Sequence, residues 1–237
     1  MNTEQLLQIF YSGPQYDGTT RFYDWIREYA SPESRVLNYG AGPATVDRRR
    51  SLKGYVAEIV GADIDPIVLQ NEELDNAVMI VGDETTLEAE YFDLVYSDFV
   101  LEHVERPEMF LKEVFRVLKP GGSFFFRTPC LYHYVAIVSA LTSQRFHLQI
   151  ANKVRGLSEK SHDPWPTFYR MNTRSRLRRL ANVAGFDEAQ LRMLEFEPSY
   201  LQFNPALFLL GLAYERTVNA TRVLENLRGN IFGRLVK

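Results

Sequence analysis

The run Val36-Leu37-Asn38-Tyr39-Gly40-Ala41-Gly42 constrains this chain most. It reads as a short buried strand running into a glycine-pinched turn. About twenty residues on, Ile59-Val60-Gly61-Ala62-Asp63 reads as a second strand that ends in an acid. In a parallel α/β sheet two such strand ends lie side by side, and a nucleoside fits across them. Glycine has no Cβ and adopts φ > 0 at little cost, so backbone can approach a ligand there. An acid at the next strand tip accepts both hydroxyl protons of a ribose.

Two nucleoside cofactors suit this pattern. A dinucleotide wants G-x-G-x-x-G, the third glycine admitting a helix N-terminus to the pyrophosphate. Here the third position is Thr45, and Pro43-Ala44 stands where the helix would open. S-adenosylmethionine has no phosphate and needs only backbone near its methionyl group and an acid on its ribose. A glycine turn of this kind also serves as plain strand-to-helix punctuation.

Strand-like and helix-like runs alternate downstream: 35–39 then 44–53, 57–62 then 66–74, 77–81, 92–97 then 107–118, and 123–127. Such alternation predicts βαβ units with right-handed crossovers around a parallel sheet. Pro66 and Pro107 suit first-turn helix positions. Phe110, Leu111, Val114, Phe115 and Leu118 recur at i, i+3 and i+4, one apolar stripe against a sheet. Lys119-Pro120-Gly121-Gly122 stops that helix, and Phe124-Phe125-Phe126 shows no polar alternation, as in a strand covered on both faces.

The strings FDLVYS (92–97), LEHV (101–104) and FLKEVFRVLKPGG (110–122), in that order and spacing, resemble the class I S-adenosylmethionine-dependent methyltransferases, and among them the group called methyltransferase type 11. The resemblance covers about residues 35 to 130 and continues weakly to about 195. It implies a Rossmann-like α/β sandwich: a mostly parallel seven-stranded sheet with an antiparallel C-terminal strand, a helical cap and a C-terminal helical tail. Residues 1–30 would form an N-terminal helical cover, with Tyr16 or Arg21 as possible cofactor contacts. Residues 31–200 would form the methyltransferase domain, with an acceptor cap inserted at 128–170. Residues 201–237 would be an amphipathic tail.

The resemblance also implies roles. Gly40, Ala41 and Gly42 face the methionyl part of S-adenosyl-L-methionine, Asp63 holds the ribose, and Ile64 packs on the adenine. Asp83, or Glu84 beside it, meets the adenine amino group, and Ser97, with Asp98 next to it, faces the sulfonium end. Each has a structural alternative: a helix cap for Asp63, ordinary loop acids for Asp83 and Glu84, a turn residue for Ser97. The family often carries an acid at position 38, where it attracts the cofactor's ammonium group. Asn38 hydrogen-bonds but brings no charge.

Methyl transfer to a hydroxyl benefits from a general base, because the free alcohol is a poor nucleophile. His103 is the first candidate, although LEHV recurs across substrates and so also suits a scaffold role. His133 and His147 follow the fifth strand, beside Tyr132 and Tyr134, where such enzymes build acceptor pockets; aromatic packing of a lid is the structural alternative. His162 sits in a polar loop. Thr173 reads as a helix N-cap and Gly185 as its stop, with Leu177, Leu180 and Val183 or Ala184 buried and the intervening arginines on a solvated face or against phosphate. In the tail, Arg216, Arg222, Arg228 and Arg234 interleave with Val218, Val223, Leu224, Leu227, Ile231 and Phe232. A basic amphipathic helix of that kind packs on its own sheet, makes a homodimer, or lies on a membrane surface.

The 237 residues, 46% hydrophobic with net charge -3, can bury a real core and lack the basic stripe of a nucleic-acid binder. Cys130 is the only cysteine, so neither an intrachain disulfide nor a zinc-type cluster is expected. The first residues lack a signal-peptide pattern, and no run of about 18 apolar residues occurs. A cytoplasmic protein is expected, with peripheral contact on the inner face of the membrane as the alternative. The function expected is methyl transfer to a small or lipid-linked acceptor, leaning to O-methylation of a saccharide or glycolipid intermediate. The alternatives are a quinone- or polyketide-like small molecule, or a non-catalytic cofactor-binding protein of the same fold.

Overall fold

A computed structural model describes residues 1–45, 47–82, 85–136 and 165–237. In chain order its main elements are α1 (Thr3–Tyr11), α2 (Gly18–Arg27), β1 (Arg35–Tyr39), β2 (Glu58–Asp63), β3 (Asn76–Met79), β4 (Phe92–Asp98), α3 (Pro107–Val117), β5 (Leu118–Pro129), α4 (Arg174–Ala184), β6 (Glu188–Leu194), α5 (Pro205–Ala220) and β7 (Asn230–Val236). The strands make one seven-stranded sheet in the order β3-β2-β1-β4-β5-β7-β6. Pairs β1–β2, β2–β3, β1–β4 and β4–β5 are parallel. The C-terminal strand runs antiparallel: Gly121 N–H meets the Lys237 carbonyl, Lys237 N–H meets that of Gly122, and Asp187 N–H meets that of Val236. The expected Rossmann-like sheet is therefore present. Its strand order reverses between β1 and β4, which places a ligand crevice beyond their carboxyl ends.

The residues group into two compact units. The first comprises Thr19–Thr128, Thr167–Arg192 and Ile231–Lys237. Its core follows from the apolar stretches of the strands: Val36, Leu37, Val95, Phe124, Phe125 and Phe126 are wholly buried. Full burial of one such side chain stabilises by roughly 1.5–3 kcal/mol. Of the expected α3 stripe, Phe110, Leu111, Val114 and Leu118 are buried and Phe115 only half-buried, while Val117, outside that stripe, is buried as well. On α4, the Thr173 hydroxyl accepts from Arg176 N–H, and Gly185 ends the helix at φ 103. The buried stripe of α4 is Leu177, Leu180 and Ala181, whereas Val183 is exposed.

The second unit comprises Met1–Gly18, Pro129–Pro166 and Met193–Asn230. In it α1 opens with a capping box between Asn2 and Gln5. Asn204 caps α5, and the Tyr11 hydroxyl donates to Glu215 of α5 at 3.1 Å.

Three expectations are corrected. Residues 44–53 form no α-helix; a 3-10 turn, Arg48–Arg50, stands there. The cause is local: the Thr45 hydroxyl takes Asp47 N–H, and the Asp47 carboxylate takes Arg49 N–H and its guanidinium. Such side-chain bonds compete with a helical ladder. Residues 66–74 likewise shrink to the 3-10 turn Pro66–Gln70, with Asp65 taking Ile67 N–H and Asn71 taking Glu73 N–H. The tail is not one amphipathic helix. After α5 it becomes β7, with Ile231, Phe232 and Leu235 buried. Arg228 spends its guanidinium on the carbonyls of Val218, Met193 and Thr221, and Arg234 on the Ser123 hydroxyl. Among the described residues no helix is long and apolar enough to cross a membrane.

Glycine is required where β7 passes under Phe126. A Cβ at Gly233 would meet that ring at 2.0 Å, and the ring is fully buried. Gly233→Ala is expected to destabilise by about 1–3 kcal/mol through overpacking. Urea denaturation checks this, with Gly82→Ala as a control at a position of open space but positive φ.

Candidate active site

The turn after β1 is pinned to β2 through its backbone. Gly40 N–H and Ala41 N–H both donate to the Ala62 carbonyl, at 2.7 and 3.3 Å. Gly42 N–H donates to Asp63 Oδ2 at 2.8 Å, and the Gly42 carbonyl accepts from Asn71 Nδ2 at 3.0 Å. Gly40 (φ 86) and Gly42 (φ 56) both occupy the left-handed region. A Cβ on Gly40 would strike Val100 at 2.4 Å, whereas Gly42 faces open space. That combination suits close approach of a ligand to bare backbone. Asp63 Oδ1 accepts Asp65 N–H at 2.9 Å, so each carboxylate oxygen has one donor and retains accepting capacity. Ile64 beside it is exposed.

A cavity of about 300 Å³ opens against this turn. Its wall includes Asn38, Gly40 and Ala41, together with Tyr23, Arg50, Asn71, Glu73, Tyr96 and Asp98. Register explains the membership. Asn38 lies opposite Tyr96, so Tyr96 and Asp98 share its face of the sheet. Ser97 faces the other way. Its wholly buried hydroxyl donates to the Tyr39 carbonyl at 2.7 Å, which corrects the expectation that its side chain meets the cofactor. Asp83 and Glu84 lie outside the described residues, as do His147, His162 and residues 137–164 of the expected cap.

Asp98 is locked in place. The Arg127 guanidinium pairs with it through Nε and, at 2.9 Å, through Nη2; the Tyr23 hydroxyl adds a bond at 3.2 Å. Arg127 also reaches Thr19 Oγ1 at 3.1 Å. The Tyr23 ring packs edge-on against Tyr96. Burial, with Tyr96 and Asp98 nearby, pushes the Tyr23 hydroxyl far above its ordinary pKa, so it stays a neutral donor.

The two candidate bases belong to different units. His103 is half-buried on the 3-10 turn Leu101–His103 after β4. His133 is 8% exposed in the second unit, its Nε2 3.4 Å from Glu195 Oε2 and its ring 4.1 Å from that of Tyr134. Tyr132 beside it is exposed. The residue next to His103 matters more for the architecture. Glu102 is buried; its carboxylate accepts from Thr128 Oγ1 at 3.0 Å, and that hydroxyl accepts from Asn172 at 2.6 Å. The Glu102 carbonyl also receives the N–H groups of Phe168 and Tyr169. LEHV therefore ties β5 and the segment before α4 to the end of β4. Neither Glu102 nor Arg127 stood out in the sequence, since their partners lie tens of residues away.

Burial is the main cause that lifts Glu102 to about 7, with the Asp98 charge adding to it and the Thr128 bond and Arg127 opposing. The folded pKa exceeds the ordinary 4.5, so the contribution is full below pH 4.5 and is lost as pH rises toward 7. Glu102→Gln should abolish this loss. The drop in unfolding free energy from pH 4.5 to 8 is expected to shrink by about 3 kcal/mol in the variant, read by urea titration at both pH values. An unchanged pH dependence would contradict this placement of the carboxyl.

Residues 37–126 match the family model described as a methyltransferase domain. Curated relatives include a ubiquinone biosynthesis O-methyltransferase of Pseudomonas putida (strain GB-1), 34% identical over 115 residues, covering 44% of this chain and 49% of the relative. One of the same name from Pseudomonas fluorescens (strain SBW25) is 31% identical over 125 residues, covering 48% and 53%. The chain thus spans about half the length of the curated relatives it matches. Among solved structures, a SAM dependent methyltransferase from Archaeoglobus fulgidus superposes with a TM-score of 0.58 at 14% identity, over 99% of both chains. The [4+2]-cyclase SpnF superposes at 0.54 with 17% identity, over 92% of this chain and 80% of its own. At these identities the likeness shows the fold.

Proposed function

We propose that this chain, a member of the class I S-adenosylmethionine-dependent methyltransferases, transfers a methyl group to a hydroxyl of a small, quinone-like aromatic acceptor. The observation that carries the acceptor class is the name shared by the curated relatives, O-methyltransferases of ubiquinone biosynthesis. Their match favours this acceptor over the saccharide or glycolipid expected from the sequence.

The residues present fit the cofactor. Gly42 offers bare backbone to open space, and Asp63 keeps accepting capacity for a ribose while bonding Gly42 N–H. Asn38, Gly40 and Ala41 wall the cavity at the methionyl side. When bound, the cofactor supplies an activated methyl on a positively charged sulfur, so positioning and exclusion of water are the protein's main contributions. The nucleophile is the acceptor's oxygen, and its proton must leave. We assign that proton to His103, the one histidine in the stretches of the first unit. A phenolic hydroxyl is acidic enough for an imidazole to accept its proton near neutral pH.

Calorimetry with S-adenosylhomocysteine tests cofactor binding. Wild type should bind, and Asp63→Ala should bind about ten- to a hundredfold more weakly, since a charged acceptor bonded to hydroxyls contributes about 1.5–3 kcal/mol. Transfer of labelled methyl to a catechol-bearing acceptor tests the reaction. His103→Gln should lower kcat by about 10²–10⁴ with S-adenosylhomocysteine affinity unchanged. Label that enters saccharide acceptors but not catechols would overturn the acceptor class.

A further inference from the structure

We infer that Arg50 binds the carboxylate of the cofactor's amino-acid end and so supplies, as a cation, the charge recognition that Asn38 does not provide as an anion. The inference rests on the reading above and adds a residue that no motif points to. Arg50 closes the 3-10 turn Arg48–Arg50 and lines the same cavity as Asn38, Gly40 and Ala41. Its side chain is 40% exposed, so it can reach a ligand entering that cavity.

Its charge is met by two long ion pairs, neither of them a hydrogen bond. The nearest acids are Asp98, with Oδ2 3.7 Å from Nη1, and Asp47, with Oδ2 3.9 Å from Nε. Both distances exceed a hydrogen bond. The buried Nε has no hydrogen-bond partner among the described residues. The two acids are engaged elsewhere. Asp98 is held by Arg127 and Tyr23, and Asp47 by Arg49 through both carboxylate oxygens. The remaining acid of the wall, Glu73, accepts the Ser51 hydroxyl. Arg50 is thus a guanidinium beside the glycine turn, with its planar donor fork free of hydrogen-bonded carboxylates, and that fork matches a carboxylate. Asn38 in the same wall offers an amide oxygen to the neighbouring ammonium without a charge. The amino-acid end of the cofactor is a zwitterion, and this wall grips it mainly by its anionic half.

Two ligands separate this role from general support of the cavity. S-adenosylhomocysteine carries the amino-acid end; 5′-methylthioadenosine shares the adenosine and sulfur but lacks it. Each is titrated calorimetrically into wild type, Arg50→Gln and Arg50→Lys. Arg50→Gln should weaken S-adenosylhomocysteine about five- to tenfold and leave 5′-methylthioadenosine within about twofold, the loss of a part-exposed charge-assisted contact. Arg50→Lys should fall between, keeping the charge but not the fork. Equal weakening of both ligands, or no weakening of either, overturns the role of Arg50 while leaving the methyltransferase reading intact. Wild type that binds neither ligand overturns that reading and this inference with it.

Discussion

A single carboxylate at the end of β2 organises the site. Asp63 receives Gly42 N–H on one oxygen and Asp65 N–H on the other, so one side chain shapes both the glycine turn and the start of the next turn. Asn71 grips the Gly42 carbonyl from beyond that second turn. A three-residue bend with two positive-φ positions is poorly defined alone; here both polar groups of its last residue are held by the neighbouring strand's continuation. The register between β1 and β2 is therefore also the register of the site. A slip by one residue would turn Asn38 away from the cavity and send Tyr39 into it.

The parts legible in the sequence are those set by local pattern. Strands β1, β2 and β4 announce themselves by short apolar stretches, Val36-Leu37, Ile59-Val60 and Leu94-Val95-Tyr96, and β5 by Phe124-Phe125-Phe126, as in parallel strands covered on both faces. Helix α3 announces itself by period, and α4 by Thr173 and Gly185 at its ends. The misread parts are set by competition or by distance. Residues 44–53 have helix-like composition, but Thr45 and Asp47 capture the backbone donors first. The arginine-rich tail has helical spacing as far as α5, yet Ile231, Phe232 and Leu235 complete the sheet as β7. Ser97 was one residue out of phase: the pairing of Asn38 with Tyr96 decides which of Tyr96, Ser97 and Asp98 face the cavity, and pairing is a tertiary fact. The same holds for Asp98 with Arg127 and Glu102 with Thr128 and Asn172.

Fold and chemistry separate in this family of shapes, since a cyclase and methyltransferases share the architecture. What the chain shares in sequence with the ubiquinone O-methyltransferases is roughly half their length. The family match, residues 37–126, takes in the glycine turn, Asp63, β4 and LEHV. That half contains the glycine turn with its Asp63 clasp and the buried network next to it. Glu102 belongs to this network, which joins the ends of β4 and β5 to the approach to α4 and suits a structural role for LEHV beside its histidine.

The short turn at Arg48–Arg50 changes how the cavity wall can vary. In an α-helix each residue's direction is locked to its neighbours by a 100° step, so adding or deleting one rotates everything after it. A wall made of side-chain-anchored bends has no such phase. The direction of each side chain in this wall is set by its own anchor, such as Arg27 on the Arg49 and Ser51 carbonyls, and not by the phase of a helix.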